Sequence, residues 1–79
     1  MQSMSKSMPQ LKIVNRVHVF RAERRMTQQE LAKEVGVTRA TIVAIEGGNY
    51  NPSLELAFRI ARYFRADINT IFSIEEEVK

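Results

Sequence analysis

The sequence predicts a mainly α-helical domain of four or five helices with a short β-strand near each end. Three observations indicate this fold class. Residues that cap helices precede several segments, and apolar residues within those segments recur every three or four positions. Alternating apolar residues occur only near the two ends, so we expect the terminal strands to pair antiparallel with each other.

The composition limits what kind of protein this is. With 79 residues the chain is one domain whose core alone is marginal, so we expect a second chain to add stability. It has no cysteine, which excludes disulfides and thiolate metal sites and fits a reducing, cytoplasmic location. No apolar run approaches the roughly 20 residues that a membrane-spanning helix needs.

The charge is unevenly distributed along the chain. The formal net charge is +3, from 12 basic and 9 acidic residues. Residues 75–79 contain three glutamates and one lysine, so the remainder has 11 basic and 6 acidic residues, or +5. A positive field on a small domain favours a polyanionic partner. Charge that serves solubility alone is the other interpretation.

The first helix is predicted to follow Asn15, an N-cap residue preceded by a strand-like segment around Leu11 and Ile13. Its inner face is marked by residues three or four positions apart: Val17, Phe20, Arg21 and Arg24. An arginine on that inner face needs a partner, because an unpaired charge is costly to bury.

The second helix has a clear start. Thr27 and Glu30 form a capping box, in which each side chain satisfies the other residue's backbone N–H. Met26 and Leu31 have the spacing of a hydrophobic staple. Gly36 follows the last inward residue and is expected to end the helix with a positive φ.

The third helix begins after a very short turn. Thr38 is its expected N-cap, and Ile42 and Ile45 point inward. Gly47 and Gly48 are expected to end it.

The fourth helix is predicted after Ser53. Its expected buried stripe consists of Leu54, Ala57, Ile60, Ala61 and Phe64. Val19 and Leu56 are apolar at positions that we place outside the monomer core. Asp67 caps a last turn, after which Phe72 and Ile74 lie on one face of an extended segment.

The segment from Gln28 to Glu46 has the pattern of a helix-turn-helix. A small residue at its fifth position, Ala32, permits close helix crossing, and Gly36 at the ninth makes the turn. A β-branched residue at the fifteenth, Ile42, fixes the second helix on the first. A plain helical hairpin within a bundle is the alternative interpretation.

The segment "MTQQELAKEVGVTRATIVAIEGGNYNPSLELAFRIARYF" resembles the Cro/phage-repressor (XRE) helix-turn-helix family, and the resemblance extends over residues 15–72. Its most specific marks are "TQ.ELA..VGV", "IE.G" and "NPSLELA". The chain is most similar to small stand-alone repressors of the cytolysin-repressor type. This resemblance implies a compact repressor-like domain with a terminal strand at each end, and a dimer. Arg25 and Arg65 depart from the family, which often has glycine at the first position and glycine or asparagine at the second.

The outer face of the third helix is the predicted base-reading surface. Arg39 stands at its first position, where the helix dipole disfavours a cation, so we interpret it as facing DNA rather than as a solvated arginine. Ala40, Val43 and Ala44 are small enough to permit close approach to bases, including a thymine methyl. For Val43 an apolar residue that simply faces solvent, or a protein contact, is the alternative.

Further residues are candidates for phosphate contacts: Thr27, Gln28, Thr38, Thr41, Asn49, Tyr50 and Asn51. For Tyr50 the alternative is packing on the next helix, and for Asn51, before Pro52, it is a turn role. The resemblance implies that Gln28 holds a phosphate and braces Arg39. It also implies that Arg21 pairs with Glu46 as a structural ion pair.

We expect a sequence-specific DNA-binding transcriptional regulator, a repressor that binds an inverted-repeat operator as a homodimer. An antitoxin or protein-interaction adaptor is the alternative. No nucleophile–base pair, phosphate-cradling loop or metal ligand set is evident, so we expect no enzyme, cofactor, metal, small-molecule ligand or membrane partner. His18 is interpreted as a surface imidazole. The predicted organisation is a disordered arm (1–10), one domain (11–76) and an acidic tail (77–79).

Overall fold

A computed structural model describes residues 10–75, which form helices and one small sheet. The elements in chain order are β1 (Ile13–Asn15), α1 (Val17–Glu23), α2 (Gln28–Val35), α3 (Arg39–Glu46), α4 (Leu54–Phe64), α5 (Ile68–Ile71) and β2 (Phe72–Ile74). The predicted fold class is confirmed. Apart from the exposed Gln10, the expected arm and the acidic tail lie outside the described residues. No helix in this part of the chain has the length and apolar character needed to cross a membrane.

The terminal strands pair antiparallel, as the sequence predicts. Ile13 lies opposite Ile74, and Asn15 lies opposite Phe72. The ribbon continues into the helices, because the Arg16 N–H donates to the Ile71 carbonyl at 2.8 Å. The sheet therefore closes the domain by joining the start of α1 to the end of α5.

Side-chain caps fix where most helices begin. Thr27 and Glu30 form the predicted capping box. The side chains of Thr38, Ser53 and Asp67 each accept a backbone N–H at the start of α3, α4 and α5. These local hydrogen bonds satisfy donors that a helix start otherwise leaves unpaired.

Asn15 has a different role from the predicted N-cap. It lies in β1, and α1 begins one residue later than a cap at this position requires, after Arg16. Its Oδ1 still accepts the Val17 N–H at 3.1 Å, while its Nδ2 donates to the Ile45 carbonyl at 3.0 Å. Asn15 thus joins the ribbon, α1 and the end of α3.

The core lies between α2, α3 and α4 and is closed by α1 and α5. Its buried apolar residues are Val17, Leu31, Ala32, Val35, Ile42, Ile45, Leu56, Ala57, Ile60, Ala61, Phe64 and Ile71. Val19 is outside this core, as predicted. Two predictions for α4 were wrong: Leu54 is 71% exposed, and Leu56 is only 8% exposed.

The two errors in α4 have one physical cause. Leu54 is on the buried side of a helical wheel, but it is the first residue of α4, and no other element covers it there. Leu56 is at the edge of the same stripe and becomes buried because Val37 and Tyr50, which line a shallow pocket with it, lie on that side. A wheel describes direction around one helix, not where its neighbours end.

Two arginines adopt left-handed backbone conformations. Arg25 has φ 54° and Arg65 has φ 56°. At these two positions the family that the chain resembles often has glycine, or asparagine at the second. The left-handed backbone conformation is therefore present here although glycine is not. A non-glycine residue costs about 1–2 kcal/mol in this conformation.

Candidate nucleic-acid interface

The outer surface of α3 is small, largely apolar and without acidic residues. Arg39 and Ala40 are exposed, Val43 is 40% exposed and Ala44 is partly buried. On the opposite side of the helix, Ile42 and Ile45 are fully buried. We call Arg39, Ala40, Val43 and Ala44 the recognition face. It presents one cation and no side chain longer than valine beside it.

The start of α3 is held rigidly. Gly36, with φ 81°, allows the chain to reverse after α2. The Thr38 Oγ1 then accepts the Thr41 N–H at 3.2 Å and lies 3.1 Å from the Thr41 Oγ1. Both hydroxyls therefore participate in the cap, and each still has hydrogen-bonding capacity for a further partner.

A partly buried ion pair lies beneath the recognition face. The Arg21 Nε donates to the Glu46 Oε2 at 2.8 Å, and a second Arg21 nitrogen donates to Oε1 at 3.1 Å. The hydrogen bond with Glu46 raises the pKa of Arg21; burial opposes this shift, and Coulomb attraction to the same carboxylate adds to it. Arg21 also donates to the Met26 carbonyl at 2.8 Å, which ties α1 to the segment before α2.

Gln28 connects this ion pair to Arg39. Its Nε2 donates to the Glu46 Oε1 at 3.1 Å. Its Oε1 lies 3.5 Å from an Arg39 guanidinium nitrogen, the long limit for a hydrogen bond. A continuous set of polar contacts therefore runs from α1 through Glu46 and Gln28 to the first residue of α3.

The remaining phosphate candidates fall into two groups. Thr27 and Asn49 are both exposed. Thr27 is the N-cap of α2, and Asn49 lies in the loop that follows α3. Tyr50 is 47% exposed and lines a shallow pocket with Thr41. Asn51 instead lines a cleft whose other wall is β1, so it is set apart from the recognition face.

An open groove of about 1030 Å³, not predicted from the sequence, lies between α2 and α4. Its lining consists of Arg24, Lys33, Glu34, Val35, Gly36, Arg59, Arg62, Tyr63 and Arg65. We call it the basic groove, because five of these residues are cationic and one is acidic. Arg59, Arg62 and Arg65, spaced by three positions, were the available signal in the sequence.

Comparison with known proteins identifies the family. A helix-turn-helix family model (HTH_3) matches residues 19–71. The chain belongs to this family. It is 60% identical over 62 residues to an uncharacterized HTH-type transcriptional regulator of Archaeoglobus fulgidus, covering 78% of this chain and 87% of that protein. As a member of this family of DNA-binding transcriptional regulators, the chain is a regulator and not an enzyme.

Two further matches concern a repressor sequence and a solved structure. The chain is 31% identical over 62 residues to the CTXphi transcriptional repressor RstR of Vibrio cholerae, covering 78% of this chain and 56% of that repressor. The crystal structure of the transcriptional regulator VanUg superposes with a TM-score of 0.74, covering 95% of this chain and 100% of that one. At 24% identity, this second match concerns the fold alone.

Proposed function

We propose that this regulator is a sequence-specific repressor that inserts α3 into the major groove of its operator. The observation that carries the proposal is the recognition face, where a cation starts the helix and no carboxylate follows until Glu46. A helix presented to phosphates is expected to lack acid on its outer face. A cation at a helix N-terminus is unfavourable within the protein alone, so a partner outside the chain accounts for Arg39.

Base reading is assigned to four residues. Arg39 has the guanidinium geometry to donate to guanine O6 and N7, and Gln28 is placed to limit its rotation. Ala40, Val43 and Ala44 would lie against the groove floor, where an apolar side chain contacts a thymine methyl.

Phosphate contacts are assigned to polar groups around this face: Thr27, Gln28, Thr38, Thr41, Asn49, Tyr50 and Asn51. Support is strongest at the N-termini of α2 and α3, where unpaired backbone N–H groups attract anions. Support is weakest for Asn51, because it lines the cleft beside β1.

We assign the terminal ribbon to a homodimer of the cytolysin-repressor type. A two-stranded ribbon alone is marginal in water. Two apolar side chains in or beside it are exposed: Ile74 in β2 is 46% exposed, and Leu11, two residues before β1, is 65% exposed. Two ribbons joined across a two-fold axis would form four strands and cover these side chains. The operator is then an inverted repeat with half-sites about 34 Å apart.

Selection of bound duplexes from a random pool tests the proposal. The expected consensus is two-fold symmetric, with half-site centres one helical turn apart, and the protein is expected to sediment as a dimer. An asymmetric consensus, or none, would contradict the dimeric repressor. A monomer in solution that still selects a symmetric site would retain base reading and overturn the ribbon assignment.

A further inference from the structure

The basic groove concentrates positive charge on residues that are not part of the recognition face. It contains five of the chain's 12 basic residues but only one of its 9 acidic residues, Glu34. Its walls come from the residue after α1, the end of α2, and the second half of α4 with the residue that follows it. None of its residues belongs to the recognition face or to the phosphate candidates.

Two of the groove's cations already have partners within the protein. The Arg24 guanidinium donates to the Phe64 carbonyl at 3.2 Å and lies 5.0 Å from the centre of the Phe64 ring. Arg59 pairs with Glu55 at 2.7 Å and reaches the Val35 carbonyl at 3.4 Å. Both side chains nevertheless remain exposed at the groove surface.

The other three cations have unused donors. Lys33, Arg62 and Arg65 are exposed, and their side chains make no hydrogen bond or ion pair with another residue in the range 10–75. Arg62 is in the last turn of α4, Arg65 directly follows that helix, and Lys33 is on α2. An elongated anionic ligand between α2 and α4 would meet donors from both walls.

The groove's aromatic residue favours a peptide over single-stranded nucleic acid. Proteins that bind single strands combine a basic groove with aromatic faces on which bases stack. Tyr63 is the groove's one aromatic residue. The Arg24 guanidinium covers its ring, 5.3 Å from the centre, and Phe64 packs at 5.2 Å. Arg24 therefore already occupies one face of this ring, whereas carboxylates need only the cationic donors.

We propose that the basic groove binds an acidic peptide segment of a partner protein, one with clustered aspartates or glutamates. The segment lies between α2 and α4 and pairs with Lys33, Arg62 and Arg65. Because this site shares no residue with the proposed DNA contacts, the regulator binds the segment and its operator at the same time. The site gives a transcription regulator a way to contact a second protein while on DNA.

Labelled hexaglutamate is the probe, titrated into the full-length protein at low ionic strength and followed by fluorescence anisotropy. The double variant Lys33→Gln/Arg62→Gln is expected to bind it about tenfold more weakly, since each exposed pair contributes modestly. Arg16→Gln/Arg25→Gln is the matched control, with the same change of net charge at two exposed cations that do not line the groove. It is expected to change the affinity less than about twofold.

Several outcomes would overturn the proposal. Equal losses in the two double variants would show a response to net charge alone. Displacement of hexaglutamate by the selected operator duplex would place the peptide on the DNA-binding surface. Equal affinity for an oligothymidine of the same charge would show that the groove accepts any polyanion. Tighter binding after Glu76→Gln/Glu77→Gln would make this chain's own acidic run the occupant.

Two results would support the proposal further. Backbone amide shifts on adding hexaglutamate are expected at Lys33, Arg62 and Arg65, with Arg39 unaffected. The operator complex is expected to bind hexaglutamate as tightly as the free protein does. Since these readouts do not depend on which bases are read, they separate failure of the groove from failure of the proposed operator.

Discussion

The recognition face and the basic groove differ in how their side chains are supported. Arg39 contacts Gln28, which contacts Glu46, and that carboxylate is held by Arg21. In the groove, Lys33, Arg62 and Arg65 project from helix surfaces with no described polar partner. The one cation of the recognition face is thus held by polar contacts, whereas three of the five groove cations have none within residues 10–75. Rigid side chains suit discrimination between bases, and mobile cations suit a variable acidic segment.

The largest expected effect is on stability, beneath the recognition face. Glu46→Ala removes the carboxylate that Arg21 and Gln28 contact and leaves the Arg21 guanidinium without its counterion. The pair is partly buried, since the Arg21 side chain is 20% exposed and the Glu46 side chain 9% exposed. We expect a loss of about 3 kcal/mol in the free energy of unfolding, measured by urea denaturation.

Glu55→Ala is the matched control at the edge of the groove. Its pair with Arg59 is exposed, 74% for Glu55 and 54% for Arg59, so its loss should cost less than about 0.5 kcal/mol. If both alanine variants lost the same small amount, the difference in support between the two surfaces would not hold.

The next effect concerns operator affinity. Arg39→Ala should weaken binding to the selected operator by about 1–3 kcal/mol, which is roughly tenfold to a hundredfold. The fold should be unaffected, because removing a cation from the start of α3 relieves an unfavourable interaction with the helix dipole. Electrophoretic mobility shift and thermal denaturation measure the two quantities.

Arg62→Ala provides the comparison for Arg39→Ala, since it removes one guanidinium from the groove. It should alter operator affinity less than twofold. Arg39→Lys separates the roles of Arg39, because lysine keeps the charge but not the bidentate geometry. Recovery of full affinity by lysine would assign Arg39 to a phosphate rather than to a base.

The sequence alone predicted those features that depend on residues close together in the chain. The box between Thr27 and Glu30 joins residues three positions apart, so the chain's local geometry determines it. The pair between Arg21 and Glu46 spans 25 positions, and the family resemblance, not spacing, was what suggested it. The paired terminal strands were predicted because no other extended segments were available.

What the sequence did not predict depends on how helices cross. The basic groove combines Arg24 and Lys33 with cations of α4 that are far away in the chain, and no local pattern joins them. The positions of Leu54 and Leu56 failed for the same reason, because burial depends on where the covering elements end. The roles of the recognition-face residues stay predictions.

A smaller effect is expected from backbone strain at the groove. Arg65→Gly should raise the free energy of unfolding by about 0.5–1 kcal/mol, because glycine adopts the left-handed conformation without the steric cost, less its own entropic penalty. Arg65→Ala keeps the strained φ of 56° and should show no such gain. Thermal denaturation of the pair separates strain from charge, since both variants remove the same guanidinium.

The smallest expected effect is on the salt dependence of operator binding. The slope of log affinity against log salt counts the phosphates that cations neutralise. Among the residues assigned to DNA, Arg39 is the only cation, whereas the groove has five. If the groove stays off the DNA, Lys33→Gln/Arg62→Gln should leave that slope unchanged.

If the groove lay along the phosphate backbone, the same variant would reduce the slope by about two per subunit. A titration of operator binding across ionic strengths therefore distinguishes a second binding surface from an extension of the first. An unchanged slope together with weakened hexaglutamate binding would assign the two surfaces to two different partners.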